Sequence, residues 1–306
     1  MAERGFPHFA GGSVITIGTF DGVHLGHCEI LRDLADRAAR RSLPAAVVTF
    51  TPHPLAVVNP AAAPRLLTPG AERLAALASS GAPDHAVVIP FTSTLAALTA
   101  EQFVDLLVDR LSMCELVVGY DHGLGRGRQG DISVLRELGT TRGFTVHVVE
   151  AKMDARGTAI SSTAIRRAVA YGDLPTARAM LGRHYDMLGR VVPGTARGRR
   201  IGIPTINLEV PREKLLPPDG VYAVRVHGAA GSYGGMMNLG GRPTFGEADR
   251  VPEVHMFDAS GDWYGAEVSV EFVSRIRDTV RFSGVEALVQ QLNRDADSAR
   301  LALTQA

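Results

Sequence analysis

Over roughly the first 180 positions, short unbroken apolar runs alternate with stretches in which apolar residues recur every three or four positions. The runs fall at residues 13–18 (SVITIG), 45–50 (AAVVTF), 86–90 (AVVIP), 115–119 (ELVVG) and 145–149 (TVHVV). After the first run, Leu25, Ile30, Leu31, Leu34 and Ala38 keep a helical period. Further helices are predicted near 71–80, 101–111 and 132–143, with Thr99 and Gln102 forming a capping box before the second of these. Continuous rather than alternating strands suit a parallel sheet covered on both faces. The pattern predicts a doubly wound α/β domain whose ligands sit outside the carboxyl ends of its strands. Two short helices, 163–171 and 175–181, are expected to close it.

Beyond Arg183 the helical period stops for about 100 residues. Short β-rich segments take over at 187–192, 205–208, 220–226, 234–238, 254–258 and 267–272, separated by Gly and Pro clusters. This predicts an antiparallel barrel or sandwich. A final helix begins at Ser283, with Val285, Leu288, Leu292 and Leu301 expected on its apolar side. The boundary is placed near 182–187, giving domains 1–184 and 185–306.

Composition narrows the choice of chemistry. Lys plus Arg is 32 and Asp plus Glu is 32, so no general field attracts nucleic acid or an anionic membrane. Affinity for phosphates must come from local clusters. Cys28 and Cys114 are the two cysteines and have no metal-ligand spacing, which favours a reduced, cytoplasmic setting. The first residues, MAERGFPHF, lack the pattern of a signal peptide, and no apolar run approaches the roughly 20 residues of a membrane span. Oligomeric state has no signature in the sequence.

The strongest local signal is GTFDGVHLGH at 18–27, a strand running into a glycine-rich turn and then a helix. Free N–H groups at such a helix start favour a phosphate. His24 and His27 are three apart and share one helical face. Two imidazoles over a phosphate can stabilise charge that develops as pyrophosphate leaves. Gly18 and Asp21 of the same turn join this phosphate-binding set. A second piece, VVGYDHGLGRGRQGD at 117–131, puts Asp121, Gly125 and Arg128 after the fourth strand; by itself it is a common type of surface turn. A third, ISSTAIR at 160–166, offers Ser161, Ser162 and Thr163 as helix caps, with Arg166 within the first turn as part of a phosphate clamp. There is no Walker lysine motif and no Ser/His/Asp nucleophile. Attack by a phosphate on the α-phosphorus of ATP needs neither, because the attacking group is already anionic and only has to be aligned.

The second half carries GTARGRRIGIPTIN at 194–207. Gly194, Gly198 and Gly202 permit a loop that folds over phosphates, and Arg197, Arg199 and Arg200 supply positive charge. Thr205 and Asn207 alternate on a strand and point to one side. Their oxygens are hard donors of the kind that bind Mg²⁺ together with ATP. Read alone, PTIN is equally an ordinary strand start after proline. In PEVHMFD, Glu253, His255 and Phe257 face one way and Val254, Met256 and Asp258 the other. Glu253 can accept the proton of an attacking hydroxyl.

Taken in order, GTFDGVHLGH, TFTPHP (49–54), DHGLG and ISSTAIR resemble the adenylyltransferase domain of bacterial FAD synthetases. GRRIGIPTIN, LLPPDGVY (215–222), MNLGGRPTF (237–245), PEVHMFD, WYG (263–265) and IRDTVRF (276–282) resemble a riboflavin kinase domain. The resemblance implies an HxGH nucleotidyltransferase fold joined to a kinase barrel, with riboflavin, FMN, FAD and ATP as ligands and Mg²⁺ accompanying ATP. It places His24 and His27 on the ATP phosphates. Ser162, Thr163 and Arg166 stand in for a KMSKS-type loop, and His53 lies near FMN or pyrophosphate. It further implies that Thr205 and Asn207 hold Mg-ATP, that Glu253 is the base, and that Arg277 and Phe282 belong to the flavin-binding segment. One departure stands out: the family's D-F-x-F-G loop reads Asp121-His122-Gly123-Leu124-Gly125 here. Parts of the pattern also fit a riboflavin kinase with an altered first domain, nucleotidyl transfer to another phosphate ester, or a non-catalytic flavin- or nucleotide-binding regulator.

Overall fold

The five apolar runs become five parallel strands: β1 (Ser13–Ile17), β2 (Ala45–Thr51), β3 (His85–Pro90), β4 (Met113–Gly119) and β5 (Thr145–Val149), in the order β3-β2-β1-β4-β5. The computed structural model describes residues 7, 9–194, 198, 202–229, 231–240 and 250–305. Between the strands lie helices α1 (Leu25–Arg41), α2 (Pro54–Val58), α3 (Gly70–Ser79), α4 (Ser93–Ala96), α5 (Ala100–Leu111) and α6 (Ile132–Arg142). The runs are continuous because both faces of the sheet are buried. Val14, Ala45, Val47 and Val117 pack with Leu31 and Leu34 of α1 and Leu77 of α3. Ile15, Ile17, Ala46, Val48, Leu116 and Val118 pack with Phe103, Val104 and Leu107 of α5 and Leu135 of α6. The predicted Thr99–Gln102 capping box opens α5. Strand order reverses at β1, with β2 on one side and β4 on the other. The loops leaving the carboxyl ends of β1 and β4 diverge at this switch point, where such sheets bind ligands.

The second half begins with α7 (Ser162–Ala170) and α8 (Leu174–Leu181), then β6 (Tyr185–Val192), β7 (Ile206–Glu209), β8 (Gly220–Gly228), β9 (Gly231–Leu239), β10 (Glu253–Met256), β11 (Glu267–Arg277) and α9 (Val285–Thr304). The six strands close into a barrel in the order β10-β7-β6-β11-β8-β9. This resolves the barrel-or-sandwich alternative. Alternation fills the core with Met187, Val191, Leu208, Val226, Met237, Val254, Val268, Val270 and Phe272, all buried.

One expectation is corrected. Val285 and Leu301 of α9 are exposed at 63% and 61%, whereas Ala296 and Ala299 pack onto Ala223, Met236 and Phe257. Leu301 lies roughly 160° round the helix from Val285, so no single stripe holds both. The helix buries its small residues because it lies close against the barrel strands. The chain divides into two compact units, Met1–Ser162 and Thr163–Ala306, the second of which holds α8 and the barrel. Leu174, Ala177, Met180 and Leu181 of α8 are buried, and α8 packs on β6 and β11.

Candidate active sites

The turn from β1 into α1 holds an unusual backbone. Phe20 and Val23 take left-handed conformations (φ 47° and 39°) and Gly22 has φ 91°. Left-handed Val is costly and persists only where surrounding packing fixes it. Here Phe20 and Val23 are buried in the core under α1. His24 is the N-cap of α1, its Nδ1 accepting the His27 N–H at 3.2 Å; the His27 Nδ1 in turn accepts the His24 N–H at 3.4 Å. The two imidazoles form the capping box themselves and stack with centroids 3.6 Å apart and planes 14° apart. A neutral imidazole that accepts at Nδ1 carries its proton on Nε2, so each ring is set as an Nε2–H donor. Burial, reinforced by His24, pushes His27 well below the ordinary histidine value and keeps it uncharged. A Cβ at residue 26 would meet Cε1 and Nδ1 of His24 at 3.2 Å, so glycine there leaves that ring its place.

Asp21 is placed differently from the expectation. Its carboxylate is buried and accepts the N–H groups of Leu67 and Thr68 at 3.0 and 2.9 Å. Thr68 Oγ1 accepts the Gly22 N–H at 2.7 Å, so the 66–68 segment braces the turn. Asp21 therefore braces the turn rather than presenting its charge. Gly18 lies under the Phe20 ring, which a Cβ would touch at 3.2 Å. Ser162 Oγ donates to the Asp21 carbonyl at 2.8 Å, tying residue 162 to the same turn. Thr163 is exposed and Arg166 half-buried on α7; Arg166 lies one turn beyond Ser162, later than the first-turn position expected. His53 caps α2, its Nδ1 accepting the Leu55 N–H at 3.2 Å. Sequence reasoning missed Arg73 of α3, which is buried and donates to the Thr19 and Phe50 carbonyls. Its signal was a charged residue one turn before the core residue Leu77.

After β4, Asp121 is exposed, and its carbonyl accepts from Arg128 at 2.5 Å. Gly125 has φ 75°, and a Cβ would lie 2.5 Å from the Ala100 nitrogen. The loop is thus pressed against the start of α5, where the Arg126 N–H donates to the Leu98 carbonyl at 2.9 Å. Leu124 points into the core beside the sheet with Phe50 and Phe103.

In the barrel, Glu253 of β10 stands directly across the ladder from Asn207 of β7. Cross-strand partners present their side chains on one face. Asn238 of β9 flanks Glu253 on its other side, a neighbour that sequence reasoning missed because register pairs residues far apart in the chain. Val254 and Met256 turn into the core, and Phe257 packs outward against α9, as the alternation required. Asn207 is buried beneath Gly194, where a Cβ would overlap its amide. Gly198 packs so closely that a Cβ would overlap the Ile203 carbonyl and sit 3.3 Å from Thr205 Oγ1. His255 Nδ1–H donates to the Pro204 carbonyl at 2.7 Å, fixing the residue before the exposed Thr205. Arg197, Arg199 and Arg200 lie outside the described residues.

Arg277 lies in the segment that the resemblance assigns to flavin. Its guanidinium grips the buried Asp295 carboxylate of α9 with bonds of 2.6 to 3.1 Å. Its donors are thereby largely spent on fastening β11 to α9. The Phe282 ring lies beside it, 5.8 Å from the guanidinium carbon.

Residues 7–164 match the FAD synthetase family and residues 181–303 the riboflavin kinase family. The relative in Escherichia coli K12, named bifunctional riboflavin kinase/FMN adenylyltransferase, is 40% identical over 94% of this chain and 92% of its own. The chain belongs to this family. Relatives of the same name in Pseudomonas fluorescens and Bacillus subtilis are 38% and 35% identical, each over 94% of this chain and, respectively, 92% and 91% of their own. A crystal structure from Streptococcus pneumoniae, described as a macrolide-efflux protein, superposes with a TM-score of 0.84 at 33% identity and covers 94% of both chains. Among the described residues, no helix is long and apolar enough to cross a membrane.

Within this family, the DHGLG departure has a physical reading. Leu124 fills a core position, so it alters packing. His122 has a buried Nε2 without a partner, and burial, with Arg128 second and Asp121 opposing, lowers its pKa from 6.5 to about 4. Between these values the unfolded chain binds a proton that the folded chain refuses, so stability falls as pH drops through that window. The full term is on the order of 3 kcal/mol. In His122→Phe, the melting temperature of the parallel-sheet unit is expected to fall less between pH 7 and pH 5 than in the wild type. An equal fall would show that His122 does not stay neutral in the fold.

Proposed function

We propose that the two activities of the family, riboflavin kinase and FMN adenylyltransferase, are divided between the two units, and that the residues above carry them. The parallel-sheet unit joins FMN to ATP. An oxygen of the FMN phosphate attacks the α-phosphorus, a new P–O bond forms, and the bond to pyrophosphate breaks. The Nε2–H groups of His24 and His27 donate to ATP phosphates as charge moves onto the leaving group. Gly18 and Ser162 hold the turn that aligns them, and His53, Asp121, Gly125 and Arg128 belong to the loops that border the acceptor.

The barrel unit phosphorylates riboflavin. Glu253 accepts the proton of the attacking hydroxyl as its oxygen bonds to the γ-phosphorus of ATP and the bond from that phosphorus to the β–γ bridging oxygen breaks, releasing ADP. Among the described residues, no cluster of three His, Cys, Asp or Glu would hold a metal by itself. The hydroxyl of Thr205 and the amide oxygen of Asn207 do fit Mg²⁺ that is otherwise coordinated by nucleotide phosphates and water. Bound there, Mg²⁺ would neutralise charge on the transferred phosphoryl group. Gly194 and Gly198 let the loop lie close over these two side chains. Phe282 lines the flavin side, and Arg277 acts by holding that segment to α9.

The observation that carries this reading is that one chain holds two separate constellations, a stacked imidazole pair in one unit and the Glu253–Asn207 ladder pair in the other. A time course with riboflavin, ATP and Mg²⁺ tests it. FMN is expected to rise first and FAD to follow, with a chelator stopping both. Absence of FAD when FMN and ATP are supplied directly would overturn the adenylyl-transfer half.

A further inference from the structure

Arg73 is 4% exposed, and the carbonyls that hold it belong to two different loops of the parallel-sheet unit. Nη1 donates to Thr19 at 3.1 Å, just beyond β1, and Nη2 to Phe50 at 2.7 Å, near the end of β2. Nε is buried and makes no bond. Among the described residues Arg73 makes no ion pair, and the Asp21 carboxylate acts on it only at longer range.

The strands explain the location. β1 and β2 run together as far as Gly18, whose N–H donates to Val48. Past that point β1 bends into its turn while β2 continues to Thr51. Where the ladder has parted, the Thr19 carbonyl accepts from the Thr49 hydroxyl at 3.2 Å and keeps a second acceptor site, while the Phe50 carbonyl has lost its β1 partner, and buried carbonyls need donors. A guanidinium reaches both at once because its N–H groups form a fixed fork. Burying a cation without a carboxylate beside it is a costly way to satisfy two carbonyls. The cost is offset where that span matters: one loop leads to His24 and His27, the other to His53.

We propose that Arg73 is a positioning residue for adenylyl transfer, setting the separation of the 18–27 turn and the 49–54 loop so that acceptor phosphate and α-phosphorus meet in line. This rests on the assignment of adenylyl transfer to those two loops. Each loop keeps its own ligand contacts without Arg73, but their mutual alignment is lost, and a misplacement of about 1 Å can cost on the order of 100-fold in rate.

The test compares Arg73→Gln and Arg73→Lys with the wild type in the full-length protein. For Arg73→Gln, kcat of FMN adenylylation is expected to fall about 100-fold, with KM for ATP and FMN within about threefold and riboflavin phosphorylation unchanged. Lysine keeps the charge but not the fork, and is expected to recover no more than about a tenth of the lost rate. An unchanged kcat in Arg73→Gln overturns the proposal. So does a raised KM for ATP with kcat kept, which would make Arg73 a phosphate ligand, and so does full recovery by lysine. Loss of nucleotide binding together with the unit's melting transition in both variants would make Arg73 a stabilising residue only, and overturns it too. If His24→Asn leaves adenylylation at the wild-type rate, the assignment of the loops fails instead, whatever Arg73 does.

Discussion

Glu253→Gln is expected to slow riboflavin phosphorylation by about 10²–10⁴-fold and to leave FMN adenylylation at its wild-type rate. The substitution keeps the shape of the side chain and removes its ability to take a proton. Its placement is strongly determined. Val254 and Met256 are buried in the barrel, so a one-residue slip of β10 would expose them and turn Glu253 inward. The ladder therefore fixes Glu253 beside Asn207. Because the change is nearly isosteric and on a half-buried position, the melting temperature should move little. Rates are measured separately with riboflavin plus ATP and with FMN plus ATP. Unchanged phosphorylation in a folded variant would remove Glu253 from the role of base.

The mirror-image result is expected from His24→Asn and His27→Asn. Asparagine is a good N-cap, and its side-chain oxygen can accept the N–H that Nδ1 accepts now. What it lacks is the Nε2–H on the far side of the ring. Helix α1 should stay capped while adenylylation falls by about 10²–10³-fold, the usual cost of one preorganised donor. Phosphorylation of riboflavin should be unaffected. Since His27 is held neutral by burial, adenylylation should show no loss attributable to its protonation between pH 6 and pH 8. Retained adenylylation in both variants would detach the imidazoles from the chemistry and leave them as a cap.

Much of this was legible along the chain. Continuous apolar runs are a consequence of burial on both faces, and that alone separated the parallel sheet from the alternating strands of the second half. The Thr99–Gln102 box needed only neighbours three residues apart. The H-x-G-H spacing similarly defined its own local structure, although only the fold shows that the two rings cap the helix themselves. Glycines 26, 194 and 198 stood in motifs, but which atoms they make room for was a tertiary matter.

Charged residues were the hardest to read. Asp21, in the most conspicuous motif, turns its carboxylate to the backbone of residues 67 and 68. Arg277, in a flavin-like segment, is spent on Asp295 eighteen positions away. Arg73, in no motif at all, reaches two loops that the chain separates by 31 residues, from Thr19 to Phe50. The sequence by itself determined where strands and helices form and which residue types gather in each loop, because those depend on neighbours within a few positions. Only the tertiary structure decided which charges face a ligand and which are consumed in holding the frame, because a charge is drawn to whatever partner the folded chain brings within about 4 Å, and such partners are set by strand order and register.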